Sequence, residues 1–82
     1  MKILIADDHD LVRDTLAAFL EQDGEFAITA AKDMQSAAEA MESQGPFDLV
    51  LLDYSMPGMD GLAGLRKSFD LNMGNPVALM SG

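Results

Sequence analysis

Two uninterrupted apolar runs, Ile3-Leu4-Ile5-Ala6 and Leu49-Val50-Leu51-Leu52, each end on an acid, Asp7 and Asp53. Short runs of this kind, rich in β-branched residues, predict strands buried on both faces of a parallel sheet. Between them Val12, Leu16, Phe19 and Leu20 recur at i, i+4, i+7 and i+8, the stripe of a helix over residues 10–22 that Gly24 ends. Residues 26–31 form a weaker strand candidate. Met34, Ala37, Ala38 and Met41 then repeat at i, i+3, i+4 and i+7 behind a cap at Asp33, and Gly45-Pro46 closes this second helix. A loop of turn residues, Ser55-Met56-Pro57-Gly58-Met59-Asp60-Gly61, leads into Leu62, Leu65 and Phe69 at helical spacing, with Asp60 as the expected cap. Asn72, Gly74, Asn75 and Pro76 end that third helix, and residues 77–80 are the fourth strand candidate. The order β-α-β-α-β-α-β argues for an α/β fold with a parallel sheet and right-handed crossovers.

Composition narrows the function classes. Hydrophobic residues at 49% and charged ones at 23% in 82 residues describe one packed domain or part of one, not a disordered acidic chain. Five basic against fourteen acidic residues give a net charge of −9, which repels nucleic-acid phosphate and argues against direct nucleic-acid binding. The lack of Cys excludes a disulfide, a thiolate zinc site and a Cys nucleophile, and fits a reducing compartment. The apolar N-terminal run is too short for a signal peptide, and residues 49–52 are far too few to span a membrane. The chain is expected to be soluble and cytoplasmic, without membrane association.

In an open parallel sheet, ligands bind outside the carboxyl ends of the strands, where the strand order reverses. If the first and third strands are neighbours, about 4.8 Å apart, Asp7, Asp8 and Asp53 converge on one pocket. Three carboxylates so close repel one another, so without a cation at least one holds its proton more tightly than a free Asp. A hard divalent cation removes the conflict, and oxygen donors of this kind predict Mg²⁺ and phosphoryl chemistry. Aspartate can itself serve as the nucleophile and form an aspartyl phosphate.

Taken together, the acid pair Asp7-Asp8, Asp53 with Pro57-Gly58-Met59-Asp60-Gly61 behind it, and Ser81 after the fourth strand resemble the receiver (CheY-like) domains of two-component response regulators. The stretch Ile5-Ala6-Asp7-Asp8-His9-Asp10-Leu11-Val12-Arg13 looks most like regulators with a LuxR-type helix-turn-helix output domain. The resemblance implies a flavodoxin-like, doubly wound parallel sheet. It implies that Asp53 accepts a phosphoryl group from the phosphohistidine of a sensor histidine kinase. It further implies that Asp7, Asp8, Asp53 and the backbone carbonyl of Ser55 hold Mg²⁺, that Pro57 shapes the loop, and that the Ser81 hydroxyl contacts the phosphoryl group as a switch.

The family also has a fifth strand ending in a Lys, an aromatic switch residue on it and two further helices, and these have no counterpart among the 82 residues. Lys2, Lys32 and Lys67 sit at the wrong places in the element order to substitute. Residues 1–82 are accordingly expected to be an incomplete receiver of β1-α1-β2-α2-β3-α3-β4, with the output domain absent, an unpaired fourth strand, and exposed apolar surface favouring self-association or a swapped element.

Plainer readings stand beside these. An acid at a strand end can be a cap or a solvated charge, and Ser81 before Gly82 can be an ordinary turn residue. His9 is expected to face solvent at a helix start, the Met residues to fill core and loops, and Arg66 and Lys67 to lie in solvent or complement a helix dipole. Two competing functions are a phosphorylation-independent interaction module and a haloacid-dehalogenase-like phosphatase. The latter places its nucleophile after strand one in a D-x-D pattern, whereas Asp7 and Asp8 are adjacent.

Overall fold

The computed structural model describes residues 1–80; Ser81 and its expected role as a phosphoryl contact lie outside the described residues. The seven predicted elements form in the predicted order: β1 (Lys2–Ala6), α1 (Asp10–Glu21), β2 (Ala27–Ala31), α2 (Met34–Gln44), β3 (Leu49–Asp53), α3 (Leu62–Leu71) and β4 (Val77–Met80). All strand pairs are parallel and the spatial order is β2-β1-β3-β4. The order therefore reverses between β1 and β3, the place where an open α/β sheet builds its ligand crevice. Ala6 pairs with Leu52, so Asp7 and Asp53 emerge side by side.

Strand periodicity divides the apolar residues between two faces. Leu4 and Ala6 of β1 and Val50 and Leu52 of β3 point toward α2 and α3, joining Met34, Ala37, Ala38 and Met41 in one buried cluster with Phe47, Met56 and Met59. All four apolar positions predicted for α2 are thus in the core. Its start is fixed by a reciprocal capping box, in which Asp33 accepts from the Ser36 N–H at 2.7 Å while the Ser36 hydroxyl faces the Asp33 N–H at 3.3 Å.

The other face is thinner. Ile3 and Ile5 are buried, but their β3 partners Leu49 and Leu51 are only half-buried, because α1 packs over β2 and β1 and leaves β3 partly open. The expectation of strands buried on both faces holds for β1 and fails for β3. The α1 stripe also differs from the one predicted. Arg13, Leu16, Ala17 and Leu20 face the sheet and are half-buried, whereas Val12 and Phe19 are exposed, at 49% and 69%, beside an even more exposed Leu11.

Helix α3 departs from its predicted stripe in the same way. Leu62 and Phe69 are exposed, and the residues pressed inward are Gly64, Ser68 and, half-buried, Leu65 and Leu71. Small residues let the helix approach closely: a Cβ on Gly64 would stand 2.1 Å from the Met59 carbonyl oxygen, and Ser68 Oγ lies 3.6 Å from Met34 Sδ. Asp60 does not cap this helix with its side chain. Gly61 is the N-cap, and Asp60, itself at φ 51°, offers only its carbonyl, to the Ala63 N–H at 3.3 Å. At the far end Asn72 is fully buried; its Oδ1 accepts from the Phe47 N–H at 2.7 Å and its Nδ2 donates to the Phe47 carbonyl at 3.0 Å.

Of the seven Met residues, Met34, Met41, Met56 and Met59 fill core as expected, while Met73 is exposed. Lys2 is occupied at the amino end of the sheet, its ammonium donating to the Gln44 carbonyl and lying 5.2 Å from the centroid of the Phe47 ring.

Candidate functional site

The site is assembled by the carboxyl ends of β1 and β3. The Asp7 N–H donates to the Ala31 carbonyl at 3.0 Å, continuing the β1–β2 pairing by one residue and holding Asp7 buried. Its Oδ1 then accepts the His9 N–H at 2.8 Å, turning the chain into α1. Arg13, one turn into that helix and only 14% exposed in its side chain, donates to the Asp7 carbonyl at 3.1 Å and to Asp10 Oδ1 at 2.8 Å. This guanidinium fastens the start of α1 to the end of β1.

Asp53 is 1% exposed. Its Oδ1 accepts the N–H and the hydroxyl of Ser55, both at 3.0 Å, so the loop residue grips one carboxylate oxygen. Its Oδ2 is buried and has no hydrogen-bond partner. Burial pushes the Asp53 carboxyl up, but the two hydrogen bonds from Ser55 favour the ionised form, and the group is held below the ordinary aspartate value. Asp53 is therefore ionised at neutral pH.

Pro57 acts through its backbone. Its carbonyl accepts the Met34 N–H at 3.0 Å, which ties the β3–α3 loop to the first turn of α2. Gly58 makes this approach possible, being at φ 84° and so close that a Cβ would meet Met34 Cβ at 3.0 Å.

The structure brings together Asp7, Asp8 and Asp53, as the sequence implies, and adds His9, whose side chain is exposed as expected at 59% but has one ring edge against the acids. One ligand atom from each of the four lies within 4.8 Å of the others. His9 Nδ1 stands 3.0 Å from Asp7 Oδ1, 3.2 Å from Asp8 Oδ1 and 3.5 Å from Asp53 Oδ2. The Asp7 bond first, then the charges of Asp8, Asp7 and Asp53, raise the His9 pKa above its ordinary value. The Nδ1 edge of the imidazole meets the acids because the Asp7 carboxylate already holds the His9 backbone, and His9, although the N-cap residue, makes no side-chain cap. Arg13 was also missed. Its only sequence signal is the i, i+3 spacing to Asp10, which does not reveal that the Asp7 carbonyl is within reach.

A buried carboxylate oxygen with no donor, next to two further acids, fits a divalent cation, which supplies the positive charge that no side-chain hydrogen bond gives Asp53 Oδ2. Asp7, Asp8 and Asp53 are the residues that would hold it.

Comparison with known proteins places this site among relatives. Residues 3–82 match the response regulator receiver domain family. A protein-glutamate methylesterase/protein-glutamine glutaminase of Anaeromyxobacter dehalogenans is 50% identical over 68 residues, covering 82% of this chain and 18% of its own length. The transcriptional regulatory protein CseB of Streptomyces avermitilis is 40% identical over 79 residues, covering 96% of this chain and 32% of its own. The chain thus spans about a fifth to a third of these curated relatives. Among solved structures, a CheY-like receiver domain protein of Methanospirillum hungatei superposes with a TM-score of 0.87 at 27% identity, over 99% of this chain and 63% of that one. A Burkholderia pseudomallei response regulator, solved with a phosphorylated aspartic acid and a calcium ion, shares the fold at TM-score 0.87 and 22% identity, over 99% of this chain and 46% of that one. The sheet order and helix placement are those of the flavodoxin-like CheY fold. With a family match that spans all but its first two residues, this chain belongs to the response regulator receiver domain family.

Proposed function

We propose that Asp53 is the phosphoacceptor of this receiver, that Asp7, Asp8 and Asp53 hold Mg²⁺ beside it, and that the phosphoryl donor is the phosphohistidine of a sensor histidine kinase. The observation that carries the reading is the division of labour on Asp53: one oxygen is gripped by Ser55, and the other is buried, ionised and unpartnered. An Asp53 oxygen attacks phosphorus, a P–O bond forms, and the P–N bond to histidine breaks with the electron pair staying on the imidazole. When bound, Mg²⁺ offsets the charge of the carboxylates and of the incoming phosphoryl oxygens. Ser55 holds the carboxylate in place, Asp7 is held by the β1–β2 pairing, and the Pro57 tether keeps the loop against α2. The Ser55 carbonyl as a further cation ligand and the Ser81 hydroxyl as the phosphoryl contact belong to the same proposal.

Asp53 is nucleophile and substrate at once, so each chain takes one phosphoryl group and the unit is a switch, not a turnover enzyme. Phosphorylation adds strong acceptor oxygens at the end of β3 and biases a surface read by an output domain outside residues 1–82. Relatives named as transcriptional regulators support transcription control as that output. No helix among the described residues is long and apolar enough to cross a membrane. The proposed phosphohistidine donor is what supports a cytoplasmic setting for the unit.

The test is Mg²⁺ with beryllofluoride, a phosphoryl mimic, followed through the amide signals of Asp53 and Ser55 in this chain and in Asp53→Asn. Saturable, Mg²⁺-dependent shifts in the parent that vanish in the variant are expected. A parent that binds Mg²⁺ but ignores beryllofluoride supports an interaction module that works without phosphorylation. Repeated hydrolysis of a small phosphoester would favour the phosphatase reading.

A further inference from the structure

We infer that His9 is a ligand of the cation site through Nδ1, and that it biases the site toward first-row transition ions such as Mn²⁺ and Co²⁺ over Mg²⁺. The inference rests on the cation site proposed above and deepens it. An octahedral ion with bonds of about 2.1 Å sets adjacent ligand atoms about 3.0 Å apart and opposite ones about 4.2 Å apart. His9 Nδ1 lies 3.0, 3.2 and 3.5 Å from oxygens of Asp7, Asp8 and Asp53, and all four ligand atoms fit within 4.8 Å. The three His9 spacings are close to those of adjacent ligands, the 3.0 Å one being a hydrogen bond to Asp7 that an ion would replace, and the cluster, spread over as much as 4.8 Å, would draw in slightly around the ion.

A second observation points to a ligand independently of the acids' proximity. Asp53 Oδ2, on a side chain only 2% exposed, is aimed into the cluster without a hydrogen-bond donor. His9 is also held where it can serve. Its backbone N–H is bound to Asp7 Oδ1 at 2.8 Å and its carbonyl accepts the Arg13 N–H at 2.9 Å, so the ring is presented to the acids from a fixed start of α1. The side chain is 59% exposed, which leaves a path for ion exchange.

An imidazole nitrogen is a borderline-soft donor. It suits Co²⁺ and Zn²⁺, and Mn²⁺ less strongly, and adds little for Mg²⁺, which prefers oxygen and water. Three carboxylates alone make a hard site; three carboxylates with one imidazole make a mixed one.

The experiment titrates Mg²⁺, Mn²⁺ and Co²⁺ separately into the full 82-residue chain and into His9→Ala, with the Co²⁺ visible spectrum and Mn²⁺ electron paramagnetic resonance as readouts. The His9 ring ¹⁵N signals are followed with diamagnetic Zn²⁺. Loss of even an outer-shell partner of a metal typically costs about 10–100-fold, so His9→Ala, which removes a direct ligand, is expected to lose at least about tenfold in Co²⁺ affinity, with a smaller loss for Mn²⁺, while Mg²⁺ affinity holds or rises. In the parent, Zn²⁺ should shift Nδ1 and leave Nε2 near its free position. If His9→Ala tightens all three ions alike, His9 is only a counter-charge that the ion displaces, and the inference fails. Unchanged affinities for all three overturn it as well. Failure of the parent to bind any of the ions would instead sink the cation site itself.

Discussion

Asn72→Ala tests whether one buried amide holds the lower half of the domain together. Asn72 is fully buried, and its side chain satisfies both backbone groups of Phe47, the N–H at 2.7 Å and the carbonyl at 3.0 Å. Phe47 is itself only 1% exposed, so neither group can turn to bulk water. Leaving a buried donor or acceptor unsatisfied costs about 1–3 kcal/mol each, which puts the loss at about 2–6 kcal/mol, and water entering the space left by the amide brings it to about 2–4 kcal/mol. Small domains have about 5–15 kcal/mol in total, and this one, with α1 half-exposed, belongs at the low end. With a urea slope of about 1 kcal/mol/M the midpoint falls by about 2–4 M, read by far-ultraviolet circular dichroism. Asn75→Ala is the control, because Asn75 is half-buried and its side chain donates only to the Asn72 carbonyl, at 3.0 Å. A shift for Asn72→Ala no larger than that of the control would refute the reasoning and show that solvent reaches Phe47.

Three further outcomes follow from the same structure. Gly64→Ala gains about 1 kcal/mol of helix propensity, yet its Cβ would lie 2.1 Å from the Met59 carbonyl oxygen; overpacking of about 1–3 kcal/mol wins, and thermal unfolding should shift downward. The Asp33 carboxyl is held below its ordinary value, first by the Ser36 N–H and then by the Ser36 hydroxyl. A lowered folded pKa means this stabilisation is complete above the unfolded value and disappears as pH falls through the folded one. Urea midpoints of the parent and Asp33→Ala should therefore differ most near neutral pH, begin to approach as the solution becomes more acidic than an ordinary aspartate, and converge only below the lowered folded value. Mg²⁺ at about 100 times its dissociation constant should add about 2.7 kcal/mol to the unfolding free energy. A chelator should remove that gain, and Asp53→Asn should show little of it, as urea midpoints with and without Mg²⁺ would report.

Periodicity was a sound guide where one partner face decides burial. The stripe of α2 is read correctly because Met34, Ala37, Ala38 and Met41 meet a continuous apolar sheet face and Asp33 marks the helix start. It misled for α1 and α3, where several residues could form the inner stripe. Leu11, Val12, Phe19, Leu62 and Phe69 are apolar yet exposed, and Gly64, Ser68 and Asn72, which carry no hydrophobic signal, are buried. Asp60 was misjudged for a local reason: its left-handed backbone leaves capping to Gly61.

The candidate site divides along similar lines. Asp7, Asp8 and Asp53 are legible because acids that end apolar strands must meet at one sheet edge once those strands are neighbours. That His9 joins them depends on a turn geometry, set by one hydrogen bond to Asp7, that residue order does not encode visibly. The Arg13 clamp on the Asp7 carbonyl requires α1 to pack at one angle against β1 and β2.

By itself the sequence determined the element order, the parallel class and the three carboxylates, because these follow from periods of two and 3.6 and from where strands must end. Only the tertiary structure decided which helix faces are inner, which carboxylate oxygen is left without a partner, and that the single imidazole, His9, meets the acids. Those properties depend on distances between segments far apart in the chain, and they are fixed only when packing brings the segments together.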